Sequence, residues 1–355
     1  MGNLKFYKDE PLFGLDIGHA TLKAIQIAKP AGQPSTIVGY GTSAFAPEAI
    51  QNGEIVKPEL VAQAMHQLFE KNLQGKIDSR RVACALPTSR TFSRPMKLPP
   101  MDHHDIVEAV NLEAEQYIPI PPGNLYIDYE ISRQDAQGIE LLLMATPKKI
   151  VDSYLELLQS LELEPVAFEP SISAAARLLN IAGASQEPSI LVDIGAVTTD
   201  IAIFDKTLLV ASTVNGGGDS VTEAIAKALR QSPAQAAELK DKYGIAYSPK
   251  QQRIVDAVKP QLETLVREIQ KSVRYYSQQA SSSGQKITRV VSLGGGAVMP
   301  GLDHYLSKEL RLPTQNLAPW SKFSFGSLPV PSDAGCSMYL TVAGEAILTP
   351  GELQS

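Results

Sequence analysis

The chain of 355 residues is longer than one hydrophobic core usually organises, so two or more lobes are expected. Apolar residues make up 44% and charged residues 20%, the balance of an ordinary globular protein, and a net charge of -6 without a basic block argues against nucleic-acid binding. Two cysteines, Cys84 and Cys336, fit a reducing cytoplasm better than a disulfide framework. The stretch Met1 to Glu10 is polar, with no secretory apolar core, and no apolar run approaches the roughly 18 residues of a membrane span. A membrane role is therefore expected only through a partner.

Residues 12 to 28 read as a β-hairpin. An apolar run ends in Asp16, Gly18 makes the turn, and Thr21 opens a second alternating run. Ile37 to Phe45 is a third strand. Pro58 to Phe69 is a helix with Val61, Met65 and Leu68 on one side. Val82 to Leu86 is a short strand ended by Pro87, after which Pro95, Pro99 and Pro100 punctuate an expected loop. Asp102 can cap a helix carrying Ile106, Val110 and Ala114, which stops at Pro119. Leu125 to Ile131 and Ile139 to Ala145 are two strands joined by the polar turn Ser132 to Gly138. Thr146-Pro147 then opens a helix with Ile150, Tyr154, Leu157 and Leu161. Residues about 83 to 165 thus form an expected compact insertion ahead of a helix at Ser171 to Leu179.

Ser189 to Asp205 repeats the opening hairpin about half the chain later. Asp16 falls on Asp193, Gly18 on Gly195 and Thr21 on Thr198, with Thr199 beside it. Lys206 to Thr213 is its third strand. Gly216-Gly-Gly218 then opens a helix. Residues 231 to 286 read as polar and helical, with an amphipathic piece through Leu262, Val266, Ile269 and Val273. Val290 to Leu293 is a buried strand that runs into Gly294-Gly-Gly-Ala-Val-Met-Pro-Gly301 and a further helix.

The Asp–Ile–Gly turns carry the chemistry. Glycine lets the backbone approach an anion with positive φ, and the threonines beyond it offer hydroxyls and amides to phosphate. Asp16 and Asp193 can hold Mg²⁺ through waters, because magnesium keeps several of its own. Two copies in register could grip a polyphosphate between them. Lys23 has no counterpart in the second copy, where Asp200 stands, and is either a cation for phosphate or a surface strand lysine. The Gly216, Gly217, Gly218 run is by itself a flexible connection, while bare amides at a helix start attract anions. Gly294, Gly295 and Gly296 lack the spacing of a dinucleotide fingerprint and read as a turn that packs a base or ribose. Glu268 and Lys271 share one helix face and alone read as solvated charges. His19 sits inside the first turn and is read as a turn residue.

Together, Asp16 to Lys23, Asp193 to Asp200, Gly216 to Gly218 and Gly294 to Gly301 resemble the actin/Hsp70/hexokinase superfamily. The expected fold is α/β, an actin-like, ribonuclease H-like duplicated arrangement of two lobes. Within it the chain resembles the PilM family of type IV pilus assembly proteins, relatives of FtsA. That likeness is carried by Glu113-Ala-Glu-Gln-Tyr-Ile-Pro119, Ile127-Asp-Tyr129, the Val-Asp-Ile-Gly-Ala run and Arg267 to Tyr276. The resemblance implies ATP with Mg²⁺ as ligand, with Glu268, Lys271 and Met299 near the nucleoside and Asp193 as the candidate catalytic acid. It implies subdomain 1A from 1–82, 166–188 and 331–355, an FtsA/PilM-type 1C insertion at 83–165, 2A from 189–220 and 287–330, and 2B from 221–286. It implies a cytoplasmic protein, peripheral at the inner membrane, that binds the N-terminal cytoplasmic peptide of PilN in a groove between 1A and 1C and links it to the pilus motor. Contacts with motor ATPases, a homo-oligomer and weak ATPase activity are further expectations. An FtsA-like division filament should end in a basic amphipathic helix, which Leu348 to Ser355 does not offer. A small-molecule kinase of the same superfamily should carry a catalytic Asp on a sugar-facing loop.

Overall fold

The computed structural model describes residues 11–29, 34–183, 187–246, 252–279 and 285–349. The Met1 to Glu10 stretch, the tail from residue 350, and residues 247–251 and 280–284 of the expected helical segment lie outside the described residues.

The opening hairpin is β1 (Phe13–Ile17) and β2 (Thr21–Ala28), continued antiparallel by β3 (Thr36–Ala44). A small ribbon, β4 (Ile50–Gln51) and β5 (Glu54–Ile55), precedes α1 (Pro58–Gln67) and β6 (Leu73–Gly75). Next come β7 (Arg81–Leu86), β8 (Phe92–Leu98), α2 (His103–Tyr117), β9 (Leu125–Asp135), β10 (Gly138–Pro147), α3 (Lys148–Ser160), β11 (Glu164–Pro170) and α4 (Ser171–Ile181). The second half holds β12 (Ser189–Ile194), β13 (Thr198–Asp205), β14 (Thr207–Asn215), α5 (Gly218–Leu229), α6 (Pro233–Tyr243) and α7 (Gln252–Gln279). It closes with β15 (Arg289–Leu293), α8 (Leu302–Leu310), β16 (Thr314–Asn316), α9 (Asp333–Met338) and α10 (Leu340–Ala346).

The duplication extends beyond the hairpins. One sheet runs β11-β7-β1-β2-β3-β6 and the other β14-β13-β12-β15-β16. In each, the third strand, second strand and first strand pair antiparallel, and two further strands add in parallel beyond the first. Apart from β6, the two sheets have one topology. Each sheet is apolar on both faces because its central strands are nearly continuous apolar runs, whose side chains point to one face and the other in turn. Ile190, Val192 and Ile194 point to the layer of α5, α7 and α8, while Leu191 points the other way. Phe13, Leu15 and Ile17 likewise face α1 and α3. The remaining faces of both sheets share one buried cluster with α4 and α10, which brings the lobes together.

The expected insertion is narrower than 83–165. Its own sheet is β8-β10-β9, covered by Ile106, Val110 and Ala114 of α2. The strand β7 instead pairs in parallel with β1 and β11 in the first sheet. The apolar face of α3 (Ile150, Tyr154, Leu157, Leu158) is buried with Phe13 and Leu15. Parallel neighbours need a crossover, and α3 is its helix. The small sheet is therefore looped out of a crossover that belongs to the first lobe. The expected loop around Pro95 is strand β8; it lies at the sheet edge, where proline is tolerated.

No helix among the described residues is long and apolar enough to cross a membrane.

Candidate functional site

The two Asp–Ile–Gly turns are built alike. Gly18 donates its amide to the Thr21 carbonyl at 2.9 Å, and Gly195 donates to Thr198 at 3.0 Å. Neither glycine has the positive φ expected of it. A Cβ at Gly18 would lie 3.2 Å from the Thr21 carbonyl, and one at Gly195 would lie 3.1 Å from that of Thr198, so closeness rather than handedness favours glycine here.

The side chains across each hairpin differ. In the first, Asp16 is paired with Lys23 in the strand register and accepts from its ammonium at 2.9 Å. In the second, Asp193 is paired with Asp200. Burial, then the carboxylates of Asp200 and Asp16, push the Asp193 carboxyl up to about 7, while Lys23 works in the opposite direction. Asp200 is pushed up to about 6, chiefly by burial, against hydrogen bonds from Thr213 and Thr88. The charges of Asp16 and Lys23 in the other lobe thus reach Asp193, so the two turns lie within electrostatic range of each other. Asp16 is the acid that Lys23 pairs with, and the donor atoms that Asp16 and Asp193 offer are all oxygen.

The glycine runs close the second lobe around its turn. Gly216, Gly218 and Asp219 donate their amides to the carbonyls of Val197, Gly195 and Ala196, each at 2.9 Å. These amides, expected to be bare for an anion, are spent on stitching the start of α5 to the turn. The Thr199 hydroxyl donates to the Gly216 carbonyl at 2.8 Å and is likewise engaged. A Cβ at Gly294, where φ is +82, would sit 2.2 Å from the Asp193 carboxylate, and one at Gly296 would sit 2.4 Å from the Ile194 side chain. Gly296 also donates to the Ile194 carbonyl at 2.9 Å. The run at 294–296 is therefore the floor beneath the end of β12.

Between these elements lies a cavity of about 300 Å³. Thr199, Gly216, Gly217, Gly218, Gly296 and Met299 line it, as the sequence reading placed them near a nucleotide. Asp16, Gly18, Thr21, Lys23, Asp193, Gly195, Thr198, Gly294 and Gly295 are not among its walls; most of them belong to the facing turns of the cleft. Glu268 and Lys271 do not line it either; they pair with each other at 2.7 Å on the exposed side of α7. In their place α7 contributes Gln261, Thr264 and Leu265, and α6 contributes Lys240. Gln261 and Thr264 precede Glu268 on one helix face, so their signal was in the spacing, one to two turns upstream. Lys240 carried no signal, because only the packing of α6 brings it to α5, where it donates to the Thr222 hydroxyl at 3.0 Å.

The site fits a nucleotide with a divalent cation. The cavity walls are mostly apolar with a few polar groups, the usual make-up of a small-molecule site. The buried side-chain oxygen of Gln261, on its wall, has no partner. The excess of carboxylates at the facing turns suits a hard cation held by oxygens and water. Asp16 and Asp193 would hold it, and the cation would neutralise charge between these acids and phosphate.

Comparison with known proteins identifies the family and the fold. The family model described as "Type IV pilus assembly protein PilM" matches residues 14–346. A chain from a structure titled "PilM-PilN type IV pilus biogenesis complex" is 24% identical, with 96% of this chain and 98% of that chain covered at a TM-score of 0.81. The ethanolamine utilization protein EutJ from Carboxydothermus hydrogenoformans is 16% identical over 96% of this chain and 90% of that chain, with a TM-score of 0.57. MreB5 of Spiroplasma citri, solved with ADP, is 14% identical over 98% of each chain, with a TM-score of 0.56. At these identities the solved structures establish the actin-like fold.

Proposed function

This chain belongs to the family of the type IV pilus assembly protein PilM, and from that membership we propose that it is an ATP-binding platform that carries the cytoplasmic N-terminal tail of PilN. Its place is in type IV pilus assembly. The observation that carries the nucleotide part is the pair of like-built turns, Asp16 to Thr21 and Asp193 to Thr198, within electrostatic range of each other beside the cavity of about 300 Å³. Phosphates between the turns and a nucleoside in the cavity would use both. Asp16, Gly18, Thr21, Lys23, Asp193, Gly195 and Thr198 act on the phosphate–Mg²⁺ end. Thr199, Gly216, Gly217, Gly218, Gly294, Gly295, Gly296 and Met299 shape the rest, and Lys240 and Gln261 replace Glu268 and Lys271 at the nucleoside. Asp193, at the phosphate–Mg²⁺ end, is the candidate catalytic acid for a slow hydrolysis, by analogy with the fold.

The PilN part is supported by family membership and by the likeness to the chain solved in a PilM–PilN complex. In this reading the first sheet with α10 is subdomain 1A, the β8-β10-β9 sheet with α2 is 1C, and the PilN tail lies in the groove between them. The protein would then sit at the cytoplasmic side of the inner membrane through PilN. Contacts with pilus motor ATPases and self-association would complete the assembly.

Calorimetry tests both parts. ATP with Mg²⁺ binds the wild type, and Asp16→Ala or Asp193→Ala weakens it roughly tenfold or more, the weight of a charged hydrogen bond or ion contact. Unchanged affinity in both variants would remove the nucleotide site. A synthetic PilN tail peptide binds the folded protein, and no heat at high micromolar peptide would remove the platform.

A further inference from the structure

The wall of the cavity beside the second turn carries a polar atom that the rest of the protein does not satisfy. The side-chain oxygen of Gln261 is buried and has no hydrogen-bond partner among the described residues. A buried acceptor without a donor is unfavourable, so a ligand that donates to it gains more than it would at a solvated amide.

The other polar side chains of the wall are engaged within the protein or lie open to water. The hydroxyls of Thr199 and Ser220 donate to the carbonyls of Gly216 and Gly217, each at 2.8 Å. The Thr264 hydroxyl donates to the Pro260 carbonyl at 2.9 Å and accepts from Arg267 at 2.8 Å. The Lys240 ammonium donates to the Thr222 hydroxyl at 3.0 Å and to the Gly218 carbonyl at 3.4 Å. Asn215 is exposed.

Gln261 stands on α7 with Thr264 and Leu265 three and four residues on, so one helix face brings all three to the cavity. Ile194, Met299 and Leu302 are among the apolar walls. Walls of this kind take a flat heterocycle, and one well-placed polar side chain among them fixes which heterocycle.

A carboxamide offers an acceptor and donors side by side. Its last torsion is broad and two-fold, so the amide end can turn its oxygen and its NH₂ group toward the cavity. Adenine presents the complementary pair, an amine donor at N6 beside an acceptor ring nitrogen. Guanine presents two acceptors, O6 and N7. Against guanine the Gln261 oxygen would meet another acceptor. A lysine suits the guanine edge, but Lys240 is held by Thr222 and Gly218.

We propose that Gln261 is the base-reading residue of this cavity and selects adenine over guanine nucleotides. This rests on the nucleotide reading and adds to it which base the site takes and which side chain chooses it.

Calorimetry on the full chain with ATP, GTP and purine riboside triphosphate, each with Mg²⁺, tests it. The wild type binds ATP roughly tenfold or more tighter than GTP, the discrimination of one bidentate pair. Purine riboside triphosphate keeps the ring and lacks the N6 amine, and it binds about fivefold weaker than ATP, the weight of one hydrogen bond. Gln261→Met keeps the length of the side chain and removes both hydrogen bonds, so it brings the three ligands to within about twofold of one another. A merely structural Gln261 would weaken all three alike and leave their ratios intact. If Gln261→Met folds poorly, Gln261→Asn draws the amide back by one methylene and should lose the preference as well. Equal binding of ATP and GTP by the wild type, or tighter GTP, overturns the proposal. So does purine riboside triphosphate bound as tightly as ATP, or an ATP preference retained in Gln261→Met or Gln261→Asn. A wild type that binds none of the three is a failure of the nucleotide reading itself, and the proposal falls with it.

Discussion

At the scale of single residues, equal backbone positions carry unequal charge. Asp16 has its cation 2.9 Å away, whereas Asp193 faces Asp200 and its carboxyl rises to about 7. A second displaced acid lies behind the site. Glu345 on α10 is fully buried, and neither of its carboxylate oxygens has a hydrogen-bond partner from a neighbouring donor. Burial first, and the Glu169 carboxylate second, hold its carboxyl protonated well above its ordinary 4.5, against the pull of Arg177. Arg177 is committed elsewhere, to both oxygens of Glu169 at 2.7 and 2.9 Å. A carboxyl raised in the folded state keeps a proton that the unfolded chain has lost. Its contribution to stability is whole below the unfolded value and drains away as pH rises toward the folded one. Between pH 5 and 8 the wild type should therefore lose stability that Glu345→Gln retains. At pH 8 the variant should melt about 2–4 °C higher. Parallel melting curves across that range would show that Glu345 is ionised in the folded protein.

At the scale of elements, close backbone approach decides where glycine is required. The start of α5 rests directly on the second turn. A Cβ at Gly217 would be 2.4 Å from the Gly195 carbonyl and 2.7 Å from that of Ala196. Gly217→Ala must push the turn and helix apart, which costs about 1–3 kcal/mol. ATP affinity should fall with it, since both elements border the cavity. Gly123→Ala, with nothing within 4 Å of the new Cβ, should stay within about 0.5 kcal/mol of the wild type. Denaturant midpoints for the pair check this, and equal midpoints would mean that the turn yields freely. The same closeness seats α10. A Cβ at Gly344 would reach 1.9 Å from the Ala174 carbonyl of α4, and one at Gly14 of β1 would reach 2.1 Å from that of Val342.

At the scale of the whole molecule, one ligand between two lobes should act on both. A ligand that binds only the folded protein at about 100 times its Kd adds about 2.7 kcal/mol. ATP with Mg²⁺ should raise the melting temperature accordingly, and Asp193→Ala should lose most of the rise. ATP with EDTA should give a smaller rise than ATP with Mg²⁺, because the facing acids then repel the phosphates. Equal rises with and without the metal would exclude a metal between Asp16 and Asp193.

The repeat of Asp16-Ile-Gly18 in Asp193-Ile-Gly195 was enough to read two matching hairpins, because a strand pattern with an acid before glycine is local. The amphipathic faces of α2 and α7 and the Asp102 cap were legible for the same reason. What crossed the molecule was not. Strand β8 hid behind Pro95, since only the sheet shows that it is an edge. Helix α10 hid because Leu340, Val342, Ala343, Gly344 and Ala346 are buried on every side and leave no period to read. The expected bounds of the inserted unit took in β7 and α3, which the structure joins to the first sheet and core, because those partners lie far away in the chain. The sequence by itself determined that two like-built Asp–Ile–Gly turns exist and that they are not equivalent, since Lys23 stands opposite Asp16 and Asp200 opposite Asp193. Only the tertiary structure decided that they lie within electrostatic range of each other, that Gly217 and Gly294 are pressed against the second, and that Gln261 and Lys240 rather than Glu268 and Lys271 reach the cavity. The reason is physical: a turn is fixed by a few neighbouring dihedral angles, while a site between lobes is fixed by packing among residues hundreds of positions apart.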